Sequence, residues 1–145
     1  SSCLPMEVGL SIEYFIQSFA DHSVIKPTLE KILDCFTGQI TNSGEHFFRL
    51  DYGPNHSCEL QLSVSDSEVS DITIFRPCAH DSLDSDLFNL LRSGPYLLFA
   101  PGGNVPIFAR EDVRASLPPD VIEALGEPVL IGEGDSISRV LFDED

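Results

Sequence analysis

Residues 58–64 read CELQLSV, apolar and polar side chains alternating without a break. Successive side chains of an extended chain point to opposite faces, so Cys58, Leu60, Leu62 and Val64 share one side and Glu59, Gln61 and Ser63 the other. Such a strand needs neighbours on both edges and cover for its apolar side. The flanks supply the neighbours. Gly53-Pro54-Asn55 is turn chemistry, placing a strand before it at about Phe47–Tyr52. SDSE, residues 65–68, is a polar turn before a third strand near Ser70–Arg76, with Ile72 and Ile74 inward and Pro77 ending it. His46 to His80 therefore reads as a three-stranded meander, and one apolar sheet face demands a packed layer against it.

Helical spacing suggests that layer. LSIEYFIQSFA, residues 10–20, places Ile12, Phe15, Ile16 and Phe19 on one helical face, and PTLEKILDCFT, residues 27–37, does the same with Leu29, Ile32, Leu33 and Phe36. TNSGE, residues 41–45, reads as a loop. HDSLDSD, residues 80–86, starts an acidic helix with Leu87, Leu90 and Leu91 inward, stopped by Gly94-Pro95. YLLFA and VPIFA, residues 96–100 and 105–109, flank PGGN as a hairpin. Residues 111–126 read as a helical turn, a Pro-Pro break and a short helix. PVLI (128–131) and SISRVLF (136–142) suggest a last hairpin around GEGD. The expected fold is α+β: one globular domain over residues 1–145, frayed at 1–8 and 143–145. Its sheet is mostly antiparallel, made of a meander plus hairpins. Two N-terminal helices and one or two further helices pack on it.

One constellation invites a metal reading. If Val64 pairs with Ile72 and Leu62 with Ile74, the same register sets Cys58 opposite Cys78 and His56 opposite His80. Four soft or borderline ligands would then converge as tetrahedral zinc requires. The spacing is not that of knuckle-based zinc sites, and both cysteines lie on the apolar side of their strands. Two core cysteines are the preferred reading. A zinc site of His56, Cys58, Cys78 and His80 and a cross-strand disulfide are the alternatives, and no cofactor is expected.

Charge separates the functional classes. The 145 residues carry 24 acids against 8 bases, a formal charge of −16. That balance opposes contact with nucleic acid or an anionic membrane and favours a basic partner. No apolar run approaches the length of a membrane span. SSCLPMEVGL lacks the basic region and apolar core of a secretory signal, and the cysteines follow no disulfide-scaffold spacing, so a cytoplasmic setting is expected. There is no G-x-S-x-G elbow, no P-loop or dinucleotide fingerprint, and no calcium-loop frame around Asp81, Asp84 and Asp86. The chain is therefore read as a binding protein and not an enzyme. The candidate partner-binding residues are Asp66, Glu68 and Asp71 at the turn between the second and third strands, and Asp81, Asp84 and Asp86 at the helix start.

In overall character, a small, single-domain, acidic α+β chain without catalytic motifs, the protein resembles the immunity proteins that bacteria make against type VI and contact-dependent toxins. The resemblance rests on no motif. It implies a tight complex with a basic toxin domain whose active site is occluded. A dimeric secretion-effector chaperone and a small-ligand or enzymatic domain are the other readings.

Overall fold

The computed structural model describes residues 13–20, 23–24, 28–66, 68–77, 80–103 and 105–142. Its central strand is β1, Glu13–Ala20, in the segment whose spacing suggests a helix. The correction has a physical cause. Tyr14, Ile16 and Ser18 are buried on one face of the sheet, and Phe19 is buried on the other. A strand covered on both sides loses its alternation, and its apolar residues then fit a helical period equally well. The aromatic and β-branched content of EYFIQSFA suits a pleated surface. Ile16 lies between Ile72 on one neighbour and Leu98 on the other.

The short strand β2, Ser23–Val24, pairs back onto the end of β1. Helix α1, Leu29–Leu33, is capped by Thr28, whose hydroxyl oxygen accepts the Lys31 N–H at 3.3 Å. It is one turn long, where the apolar spacing suggests a helix through residue 37. The segment expected to be a loop is strand β3, Gln39–Gly44, hairpinned to β4, Phe47–Asp51. As an edge strand β3 carries a polar sequence, and edges tolerate that best.

β4, β5 (Ser57–Ser65) and β6 (Glu68–Phe75) form the expected antiparallel meander. Its register differs from the expected one by two residues: Leu60 faces Ile74 and Leu62 faces Ile72. Either register keeps the same side chains inward, because alternation specifies parity alone. The turn decides. Ser65 pairs with Glu68 across a two-residue loop, with Asp66 left-handed at φ 53, and a bulge at Ser63/Val64 sets the rest.

Helix α2, Asp81–Ser93, buries Leu83, Leu87, Leu90 and Leu91 against the inner face. Strand β7, Tyr96–Phe99, pairs with β1 and with β8, Ile107–Phe108, as the expected hairpin. Helices α3, Glu111–Ser116, and α4, Pro119–Leu125, flank Pro118 and lead to β9, Val129–Leu130, which runs parallel to β8. The expected last strand is instead helix α5, Ile137–Phe142, with Ile137 and Leu141 buried one turn apart.

The result is a single α+β domain with a mixed, mostly antiparallel sheet. The order is β3-β4-β5-β6-β1-β7-β8-β9, with β2 on β1. The larger core joins the inner face to α2 and α5. A smaller one sets Phe19, Leu97 and Phe108 against Val113 and Leu117 on the other face. That second layer stops near β1. Beyond it the outer face of β4 to β6 presents the half-buried Phe47 and Phe75, 6.2 Å apart between ring centres, among Arg49, Glu59 and Gln61.

Candidate protein-binding cleft

α2 begins at a histidine. His80 has extended backbone, φ −136 and ψ 135, and its Nδ1 accepts the Ser82 N–H at 3.0 Å. Its carbonyl accepts from Leu83 and Asp84, closing the first helical turn. An imidazole nitrogen that accepts carries no proton, so this hydrogen bond requires the tautomer with its proton on Nε2. The ring stacks on Tyr52 at 5.8 Å between centres and takes the edge of His56 at 4.9 Å.

Tyr52 links this end of the helix to the interior. Its hydroxyl donates to Asp86 Oδ2 at 2.6 Å, while the Thr37 N–H donates to the same oxygen at 2.8 Å and the Thr37 hydroxyl to Oδ1 at 3.0 Å. Asp86 is only 1% exposed. Close approach of Tyr52 depends on Gly38, where a Cβ would lie 2.8 Å from the Tyr52 ring.

The opposite wall is the turn before α5. Asp135 Oδ2 accepts the Gly132 N–H at 2.8 Å, the Asp135 N–H donates to the Gly132 carbonyl, and Gly134 holds φ 93. The Ile137 N–H donates to the Asp84 carboxylate, so a side chain of α2 caps α5. Between the two walls lies a cleft of about 550 Å³. Its lining includes Tyr14, His80, Asp81, Asp84, Ser85, Asp135, Ser136 and Ser138, with no lysine or arginine among the described residues. Burial raises the Asp84 pKa, the Ile137 hydrogen bond lowers it, and the neighbouring Asp81 charge raises it; the net shift is upward. The cleft is rich in acceptors and hydroxyls, chemistry that suits an ammonium or guanidinium group.

That shift has a thermodynamic sign. A carboxyl whose folded pKa exceeds its unfolded value stabilises the fold below the unfolded value, and the contribution is lost as pH rises through the folded one. Asp84→Asn keeps an acceptor for Ile137 without the charge. The variant should therefore gain stability relative to the parent as pH rises from about 4 to 7. Urea unfolding at both ends of that range measures the difference, and a constant gap would show that Asp84 is not desolvated.

The structure separates the six candidate acids. Asp81 and Asp84 line the cleft. Asp86, one residue pair further along, is turned inward and its oxygens are taken by Thr37 and Tyr52, so it is corrected from a partner contact to an internal tie. Asp66 and Glu68 are exposed at the β5–β6 turn, and Asp71 accepts from Gln17 Nε2 at 2.6 Å. These three lie toward the far end of β6 from the cleft. Tyr14 and Asp135 escaped the sequence reading because they join the cleft only through β1 and the α5 helix.

The strand register on which the zinc alternative rests is not the observed one. β6 ends at Phe75, Arg76 turns left-handed at φ 50, and continuing the observed register would bring Arg76, not Cys78, across from Cys58. Cys58 is buried beside Leu50 as a core residue, and Cys78 lies outside the described residues. His56 and His80 do meet, edge to face. Among the described residues no three of histidine, cysteine, aspartate and glutamate are grouped to hold a metal ion. Away from the cleft, burial pushes the Cys35 thiol up and Tyr96 up to about 12. Neither group is activated as a nucleophile or base there.

No family model matches the chain, and no curated protein or solved structure matches it. None of the described helices is long and apolar enough to cross a membrane.

Proposed function

We propose that this protein is an acidic protein-binding module of the immunity type, which neutralises a basic toxin domain by covering its active site in the cytoplasm. One observation carries the reading. On a chain of 24 acids and 8 bases, the cleft at the head of α2 brings Asp81, Asp84 and Asp135 together, and among the described residues no lysine or arginine lines it. A lysine or arginine of the partner would enter between α2 and the turn before α5, trading water for carboxylates and serine hydroxyls. Close, desolvated charge pairs of this kind contribute several kcal/mol, and the surrounding acids steer the encounter.

The test is co-expression with toxic reading frames encoded beside the gene. The protein should restore growth and co-purify with one of them. Asp81→Asn combined with Ser85→Lys alters two cleft residues on α2, leaves the Asp84 and Asp135 hydrogen bonds in place, and should weaken the complex by about tenfold or more, about 1.4 kcal/mol. Charge reversal at Asp66 and Glu68 should slow association mainly at low salt. The opposite ranking would move the interface to the β5–β6 turn. If no neighbouring frame is toxic, or growth is not rescued, the reading fails.

A second reading is a dimeric chaperone for unfolded secreted segments. It is favoured by the half-buried aromatic pair Phe47 and Phe75 on the outer sheet face. A stable dimer in sedimentation analysis without any partner would support it.

A further inference from the structure

We infer that His80 is a proton-controlled cap: neutral, it closes the first turn of α2 through Nδ1, and protonated, it releases that turn at the edge of the cleft. The first N–H groups of a helix have no partner within it. Serine, threonine, aspartate and asparagine are the usual side chains that satisfy them, and none of these changes charge near neutral pH in that role. Here the acceptor is an imidazole nitrogen, 3.0 Å from the Ser82 nitrogen. A proton on Nδ1 turns that acceptor into a donor facing a donor, and the hydrogen bond becomes repulsive.

The surroundings define where the imidazolium would go. The positive end of the α2 dipole and the His56 ring, edge-on at 4.9 Å, both oppose a charge at the present position. From α2 itself Asp81 and Asp84, and from the turn before α5 Asp135, line the same cleft and attract it. Tyr14 of β1 also lines it, and Tyr52 stacks on the ring with its hydroxyl donating to Asp86. The proton is therefore not refused but redirected: the ring leaves Ser82 for the carboxylates. The consequence is local. The helix keeps its buried stripe, Leu83 to Leu91, while its first turn opens and one wall of the cleft becomes cationic.

Nitrogen-resolved NMR of the full chain, titrated from about pH 8 to 5 without any partner, tests this separately from the proposed function. At the upper end His80 Nδ1 should carry no proton. On acidification the Ser82 amide should lose about tenfold in hydrogen-exchange protection, corrected for intrinsic rates, with the midpoint of His80 protonation. In His80→Asn, an uncharged cap, the protection should persist across the range. In His56→Gln the transition should remain. A proton on Nδ1 at the upper end, Ser82 protection indifferent to His80, or the same loss in His80→Asn would overturn the inference. So would disappearance of the transition in His56→Gln, which would make His56 the sensor. Should His80→Asn fail to fold, the parent protein's ring nitrogens and Ser82 exchange still decide.

Discussion

Asp86→Ala should lower the free energy of unfolding by about 3–5 kcal/mol. The carboxylate is only 1% exposed, and among the described residues no lysine or arginine pairs with it. It is held by three donors instead: the Thr37 N–H, the Thr37 hydroxyl and the Tyr52 hydroxyl. Hydrogen bonds to a charged acceptor contribute about 1.5–3 kcal/mol each, and they are not additive. Alanine removes the shared acceptor and takes from the Thr37 N–H, the Thr37 hydroxyl and the Tyr52 phenol their common partner. Tyr52→Phe removes one donor and leaves the others in place, so it should cost about 1.5–3 kcal/mol. Denaturant unfolding of both variants measures this, and a loss below about 1 kcal/mol for Asp86→Ala would mean that the segments before β3 and after β4 are held to α2 by packing alone.

The second large effect belongs to the central strand. Ile16→Ala should cost about 2–5 kcal/mol, since Ile16 is 1% exposed and packed in the larger core between Ile72 and Leu98. Gln17→Ala, one residue on and facing the other side, should cost about 1 kcal/mol through its hydrogen bond to Asp71. The contrast between adjacent positions is the signature of a strand. Equal losses at residues 15, 16 and 19 with little at 14 would instead fit a helix. Unfolding midpoints for alanine variants at residues 14, 15, 16, 17 and 19 discriminate the two.

The parts legible in the sequence are those whose own side chains record a single buried face. The β4–β6 meander shows itself in the alternation of residues 58–64, α2 in Leu87, Leu90 and Leu91, and the α3–α4 break in Pro118 and Pro119. β1 was illegible because Phe19 serves one core and Ile16 the other, so neither period excludes its rival. β3 carries almost no apolar pattern because an edge needs little. SISRVLF is too short for length to arbitrate, although Ile137 and Leu141 stand one helical turn apart.

The site divides the same way. Asp81 and Asp84 were visible as acids at a helix start. The inward role of Asp86 had a signal too, since position 86 falls three after Leu83 and four before Leu90, on the buried stripe of the helix. Asp135 had none, because its place depends on α5 folding back to be capped by a side chain of α2.

The position of β1 also bears on how the chain assembles in time. β1 is the earliest described segment, yet its neighbours are β6 and β7, made much later. The ladder from β3 to β6 closes through short turns and can zip as it is synthesised. Beyond its short pairing with β2, β1 must wait: one edge is completed only when residues 68–75 emerge and the other when residues 96–99 do. Closing those long loops is an entropic toll taken before any contact rewards it. During that interval the central strand, with Phe15, Ile16 and Phe19 not yet covered, is available to a wrong partner.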